Sequence, residues 1–336
     1  ETAFRVSSLL GSKVASNKNL AITIDVIAIL TTVFGVTTSL GLGTVQISAG
    51  LNHVFEINEN FINQLIIIAF ITAIGLVSVS LGLDSGIKKL SQINMVLAIS
   101  LLLFIFILGP TIFIINALIQ NFGAYLNTLV QSATWTEVYN DTSWQNGWTL
   151  FYYAWWFAWA PFVSLFIARI SYGRSIKEFV IGVLFVPSAI VFIWMGVFGN
   201  AAIYQVINET SQISEMVNNN LPVALFTLFD VYPIAQFLSI LSLILIVTFF
   251  VTSSDSGALV ASMLSSKSQS NINDDSPMLS RITWAILLGV LAAVLLYAGG
   301  LTALQTSVVI TGVPFALIVV FACKQFLKSL KEEIIN

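Results

Sequence analysis

Apolar residues run through this chain in long, nearly unbroken blocks rather than in strict alternation or in single narrow stripes. Spanning a bilayer core takes about 20 apolar residues in a helix. Blocks over about 21–48, 61–83, 91–118, 147–171, 177–204, 235–262, 280–299 and 303–326 meet that length, so the pattern predicts eight membrane-spanning helices. The stretch 119–146 breaks the pattern. It interleaves aromatic and polar residues and predicts an amphipathic helix along the membrane surface. Residues 205–234 read as a loop with a short helix near Leu221 to Phe229, and residues 1–20 as a polar loop. A short charged tail, 327–336, closes the chain. The fold class is therefore all-α integral membrane protein, with a single transmembrane domain over 1–336.

Charge placement supports this segmentation. All thirteen Lys and Arg fall in the terminal segments or in the loops around 84–90, 169–177 and 264–281. The segments 49–60, 119–147 and 205–234 carry none. With eight spans, the loops alternate between two sides, and the positive-inside rule puts both ends of the chain in the cytoplasm. Composition agrees: 57% of residues are hydrophobic and 9% charged, against about 25% charged in soluble domains. The single Cys and single His leave no disulfide and no His-paired chemistry. With no paired buried acids either, an intramembrane enzyme is not expected, nor is a nucleic-acid partner or an organic cofactor.

One span is unusual in content. In GWTLFYYAWWFAWAPFVSLFIARISYGRSIKEFV (Gly147–Val180), Trp155, Trp156 and Trp159 follow Tyr152 and Tyr153. Trp156 lies about 12 Å along the helix from Trp148, too deep for an interfacial aromatic belt. Ring faces are negative, and a deep aromatic cluster suits a quaternary ammonium group. Tight packing of large rings is the competing reading. Pro161 removes one N–H and leaves the Phe157 carbonyl without its helical partner.

This stretch resembles the signature helix of the betaine/choline/carnitine transporter family. Tyr153 stands where that family commonly has Trp. FGVTTSLGLGTVQISAGL (Phe34–Leu51) resembles the family's fifth helix, and FFVTSSDSGALV (Phe249–Val260) its tenth. The resemblance implies a LeuT-type inverted-repeat transporter, of which this chain is a C-terminal portion starting at the fifth of twelve helices. Residues 1–118 would then end the first repeat and 147–326 form the second. It implies a secondary active transporter, a sodium-coupled symporter, for glycine betaine first, then choline, carnitine or a sulfonium analogue, with a role in osmoprotection. It further implies a homotrimer among the lipids of the cell membrane. Another LeuT-type symporter, for amino acids or nucleobases, and a non-transporting membrane sensor are the alternatives.

By the same resemblance, Trp156 completes an aromatic box around the onium group, and Trp155 and Trp159, with Phe151 and Phe166, line the path; Tyr152, on the same helical stripes, is the further solute-site candidate. Sodium, the expected coupling ion, would take the carbonyl of Phe249 with Thr252 and Ser253. Thr32 and Phe162 match two members of a second sodium site. The third position, usually Thr, is Val36, which weakens that site. Asp255 is deep enough to want a partner, and Arg169 is the candidate for a gate ion pair. Asp25 reads as a solvated helix-end residue.

Overall fold

The computed structural model describes residues 5–81, 88–266 and 276–335, and among these every regular element is helical. A 3-10 turn, Val6–Leu10, and a short helix α1 (Ser12–Ser16) lead into α2 (Lys18–Phe55). There follow α3 (Phe61–Leu81), α4 (Lys88–Leu108) and α5 (Thr111–Ala133). A π-helical turn, Gln145–Leu150, runs directly into α6 (Phe151–Ile170). Then come α7 (Ile176–Ile207), two short helices α8 (Ile213–Asn219) and α9 (Ala224–Phe229), α10 (Ala235–Ser265) and α11 (Met278–Ile335). α11 is two limbs: the helix breaks at Gly299 and Gly300, the latter at φ 57°, a conformation that glycine adopts without a Cβ penalty.

α2 is the hub. It packs against α3, α6, α10 and both limbs of α11, and from Thr31 to Gly50 most of its residues are buried. Small residues allow this. A Cβ on Gly35 would lie 3.0 Å from the carbonyl oxygen of Ala158 in α6, so the two backbones nearly touch, as small residues permit between membrane helices. The buried hydroxyls of α2 bond across the interface: Thr31 Oγ1 donates to the Thr311 carbonyl (3.1 Å) and Thr38 Oγ1 to the Leu304 carbonyl (3.0 Å). A hydroxyl without water needs such a partner, and these two tie α2 to the second limb of α11.

Three expectations change. The single helix over 91–118 is two, because α4 ends at Leu108 and Pro110 opens α5. Proline has no N–H to donate and disfavours helical geometry at Gly109. The amphipathic helix therefore occupies Thr111–Ala133 rather than 119–146. It packs antiparallel on the C-terminal half of α7: Phe113 meets Tyr204 at 5.2 Å, Phe122 meets Phe192 at 5.7 Å, and Asn121 bonds Asn200 at 3.3 Å. Asp25 is not a free helix end. Its carboxylate accepts the Ser7 N–H (3.0 Å) and Ser7 hydroxyl (3.1 Å), which folds the leading turn back onto α2.

Among the described residues, eight helices are long and apolar enough to cross a membrane, α5 the least apolar of them and the segment Met278–Glu332 counted once. Resolving α11 into its two limbs adds one apolar helix, and setting the amphipathic α5 aside removes one. This is a multi-pass membrane protein.

Candidate solute and ion site

The aromatic helix α6 is fixed to α2 through one hydroxyl. Ser39 Oγ accepts the indole N–H of Trp155 at 3.1 Å and that of Trp159 at 3.2 Å, while donating its own proton to the Gly35 carbonyl at 3.0 Å. An indole N–H buried in protein needs an acceptor, and here two indoles one turn apart share it. Ring planes are thereby set, not merely packed. Phe151, buried, stacks on Trp155 with centroids 5.3 Å apart and planes 19° from parallel. Tyr152 meets Trp155 edge-on at 6.0 Å, and Phe162 meets Trp159 edge-on at 5.4 Å. Four of the residues expected at the solute site, Phe151, Tyr152, Trp155 and Trp159, thus form one group. Trp156 stands apart: it projects from another face of α6 and is 66% exposed.

Ser39 was not singled out in the sequence. Its signal was spacing: Thr32, Val36 and Ser39 share a helical stripe, and that stripe is the one facing α6 and α10.

On α10, Thr252 Oγ1 donates to the carbonyls of Thr248 (3.1 Å) and Phe249 (2.9 Å) and accepts from Asn94 Nδ2 of α4 at 3.4 Å. Two of the oxygens expected to hold sodium, Phe249 O and Thr252 Oγ1, are therefore adjacent; Ser253 follows, partly buried. At the second expected ion position, Thr32 and Phe162 are both buried, and the Thr32 hydroxyl has no hydrogen-bond partner among the described residues. Val36 is buried against α10, where a Cβ on Gly257 would come within 2.8 Å of its methyl carbon. Its methyls fill that gap tightly.

Asp255 is buried and accepts a hydrogen bond of 2.5 Å from Ser78 of α3. Arg281, at the start of α11, acts on it electrostatically. The side chain of Arg169, its expected partner, lies outside the described residues. Neither Ser78 nor Asn94 was read from the sequence; a lone Ser or Asn in an apolar run gives no signal of its partner. No group of three or more His, Cys, Asp or Glu that could hold a metal occurs among the described residues.

An all-helical, multi-pass architecture built round a small-residue hub and an aromatic helix defines the class as a polytopic helical membrane protein. The chain belongs to the BCCT family, the betaine/carnitine/choline family of transporters, whose profile matches residues 3–335. That family comprises LeuT-type helical membrane proteins. The chain is 40% identical over 324 residues to a glycine betaine transporter of Acinetobacter baylyi, covering 96% of this chain and 48% of that protein. It is 41% identical over 315 residues to a glycine betaine/proline/choline/ectoine transporter of Vibrio parahaemolyticus, covering 93% and 55%. It is 41% identical over 331 residues to the glycine betaine transporter OpuD of Bacillus subtilis, covering 98% and 63%. The chain spans about half the length of the curated relatives it matches.

Proposed function

We propose that the intact protein is a secondary active transporter of small onium solutes, glycine betaine first and choline, carnitine or a sulfonium analogue after it, coupled to sodium. The observation that carries this reading is the Ser39 anchor, which locks Trp155 and Trp159 in fixed planes in the middle of α6. A trimethylammonium group offers no conventional hydrogen-bond donor, so ring faces must recognise it, and rings whose edges are already bonded present those faces without reorganisation. The names of the relatives support the same solute class. Trp156 completes the box from the exposed face of α6.

Sodium binds at Phe249 O, Thr252 and Ser253; the adjacency of the first two oxygens supports this. Thr32 and Phe162 form a weaker second ion position. Asp255 and Arg169 form a gate pair, with Ser78 as the carboxylate's further partner. Both chain ends face the cytoplasm: the loops 56–60, 109–144 and 208–234 carry no Lys or Arg, as the positive-inside rule requires of the outer side. The family resemblance supports a homotrimer.

The test is uptake of radiolabelled glycine betaine by proteoliposomes of the intact protein under an inward sodium gradient, with amino acids and nucleobases in parallel. Saturable onium uptake, lost with Trp159→Ala and Trp156→Leu, is the expected result. Flux of amino acids instead, or tight binding without flux, overturns it.

A further inference from the structure

The segment between α7 and α10 folds into a small cap: α8, a 3-10 turn at Leu221–Val223, and α9. Its inner side is apolar, with Phe226 and Phe229 fully buried. Phe226 docks on the hub helix where Gly50 leaves room; a Cβ there would collide with the ring. Val223 and Phe226 join one apolar cluster with Ile47 of α2 and Leu243 of α10. That cluster reaches Leu40, next to Ser39, and Val251, next to Thr252. The 3-10 turn packs on α2 and α9 on α10, so the cap bridges one end of the two helices that carry much of the candidate site. Toward α7, the Leu228 carbonyl accepts Gln205 Nε2 at 2.9 Å.

Apolar docking of this kind is indifferent to protons, but the polar edge of the cap is not. His53, in the last turn of α2, meets Asp230, just beyond α9, at 3.0 Å between Nε2 and Oδ1. The imidazole also sits beside Phe226, with ring centroids 6.0 Å apart. The two side chains are 25% and 47% exposed, so water reaches the pair. A second tie, from Asn220 Nδ2 to Glu59 Oε1 at 3.4 Å, contains no cation.

His53 is the chain's single His, and His is the side chain whose charge ordinarily changes between about pH 5 and 8. Among the described residues, Asp230 is the carboxylate within ion-pair distance of it. The segments 49–60 and 205–234 add Glu56, Glu59, Glu209 and Glu215 but no Lys or Arg, so no cation there competes for Asp230. Tyr232 is buried against Gly109 at the break between α4 and α5, and Tyr297 of α11 turns to Phe61 of α3. α10 carries no ionisable group before Asp255.

The sign follows from the ring's charge. An imidazolium holds the carboxylate by a charge-assisted hydrogen bond, whereas a neutral ring keeps one N–H at most. The clasp is therefore tightest in acid and loosens, without breaking, as pH rises through the His range. Alternating access parts and rejoins the outer halves of such a bundle. A cap that bridges α2 and α10 resists that parting, and resists it more when clasped.

We propose that His53 is a proton sensor on the outer face: protonated, it clasps Asp230, holds the α8–α9 cap on the hub helix and slows outward opening. This rests on the transporter reading above and on the outward placement of residues 208–234.

The test reads the cap and the transport separately. In the intact protein in nanodiscs, hydrogen exchange over 213–229 is followed by mass spectrometry, with rates corrected for the pH dependence of the chemical step. Protection falls about two- to fivefold between acid and neutral pH, as expected of a half-exposed ion pair. His53→Gln, a neutral donor, holds protection at the low level at every pH. His53→Arg, a permanent cation, holds it at the high level, and Asp230→Asn abolishes the pH response. Initial uptake of radiolabelled glycine betaine, with lumenal pH fixed, slows by a similar factor in external acid, and His53→Gln removes that slowing. Protection independent of pH in the unmodified protein, or a pH response that survives His53→Gln, overturns the clasp. A pH-dependent cap with pH-independent uptake overturns its control of access. Response to lumenal instead of external pH overturns the outward placement, and absence of uptake at every pH with the clasp intact overturns the transporter reading itself.

Discussion

Ser39 holds Trp155 by a 3.1 Å hydrogen bond from the indole nitrogen, and the same oxygen takes a second from Trp159 at 3.2 Å. One hydroxyl on α2 thus sets the attitude of two rings on α6. Removing it as Ser39→Ala leaves two shielded N–H groups without an acceptor, each a penalty of about 1–3 kcal/mol. If one to two kcal/mol of this falls on the bound state, glycine betaine affinity drops about five- to thirtyfold. Equilibrium binding of the intact protein measures it, and Ser39→Thr, which keeps the oxygen, should lose much less. Equal affinity in the Ala variant would mean that packing alone holds the rings.

Gly312 in the second limb of α11 faces the backbone of α6. A Cβ there would fall within van der Waals contact of the Ala154 carbonyl oxygen, and neither helix backbone can yield locally. Gly312→Ala should lower thermal stability, by about 1–3 kcal/mol or more. Gly75→Ala and Gly123→Ala serve as controls, since nothing lies within 4 Å of either new Cβ. Those two should be neutral or slightly stabilising, because glycine weakens a helix interior. Thermal unfolding in detergent, followed by size-exclusion fluorescence, separates the cases.

Val36 presents methyl groups where a second sodium would want an oxygen, and it fills the space over Gly257. Burying sodium against a methyl leaves its hydration unreplaced. Initial uptake against sodium concentration should therefore give a Hill coefficient near one. Val36→Thr is nearly isosteric and supplies the missing oxygen beside the unpartnered Thr32 hydroxyl, so it should raise the coefficient. Thr252→Ala with Ser253→Ala should abolish sodium dependence in either background. A coefficient near two in the unmodified protein would contradict the argument.

Ser78 and Asp255 join α3 to α10 at depth. Ser78→Ala removes a hydrogen bond to a buried carboxylate, worth about 1.5–3 kcal/mol. Asp255→Asn keeps an acceptor for Ser78 and should cost less. A double-mutant cycle on thermal unfolding reads their coupling directly; additive losses would show that the pair is not energetically linked.

The sequence alone determined the class and most helix positions, because about 20 consecutive apolar residues have few other uses and because Gly299–Gly300 interrupts one such run. It also marked α6 as the candidate site helix, since Trp155, Trp156 and Trp159 lie too deep for an interfacial belt. Gly109–Pro110 carried the break between α4 and α5, yet a dipeptide inside a continuous apolar block is easily read as a kink. What only the tertiary structure decided is which side of each helix faces inward. In a membrane both the lipid face and the packed face are apolar, so periodicity, which in a water-soluble helix separates core from solvent, carries little information. Hence the ring group closes on Ser39 while Trp156 stands on another face of α6, Asp255 meets Ser78, and Val36 fills the gap over Gly257. These pairings depend on contacts between helices distant in sequence, where one hydroxyl or one missing Cβ decides which side chains can meet.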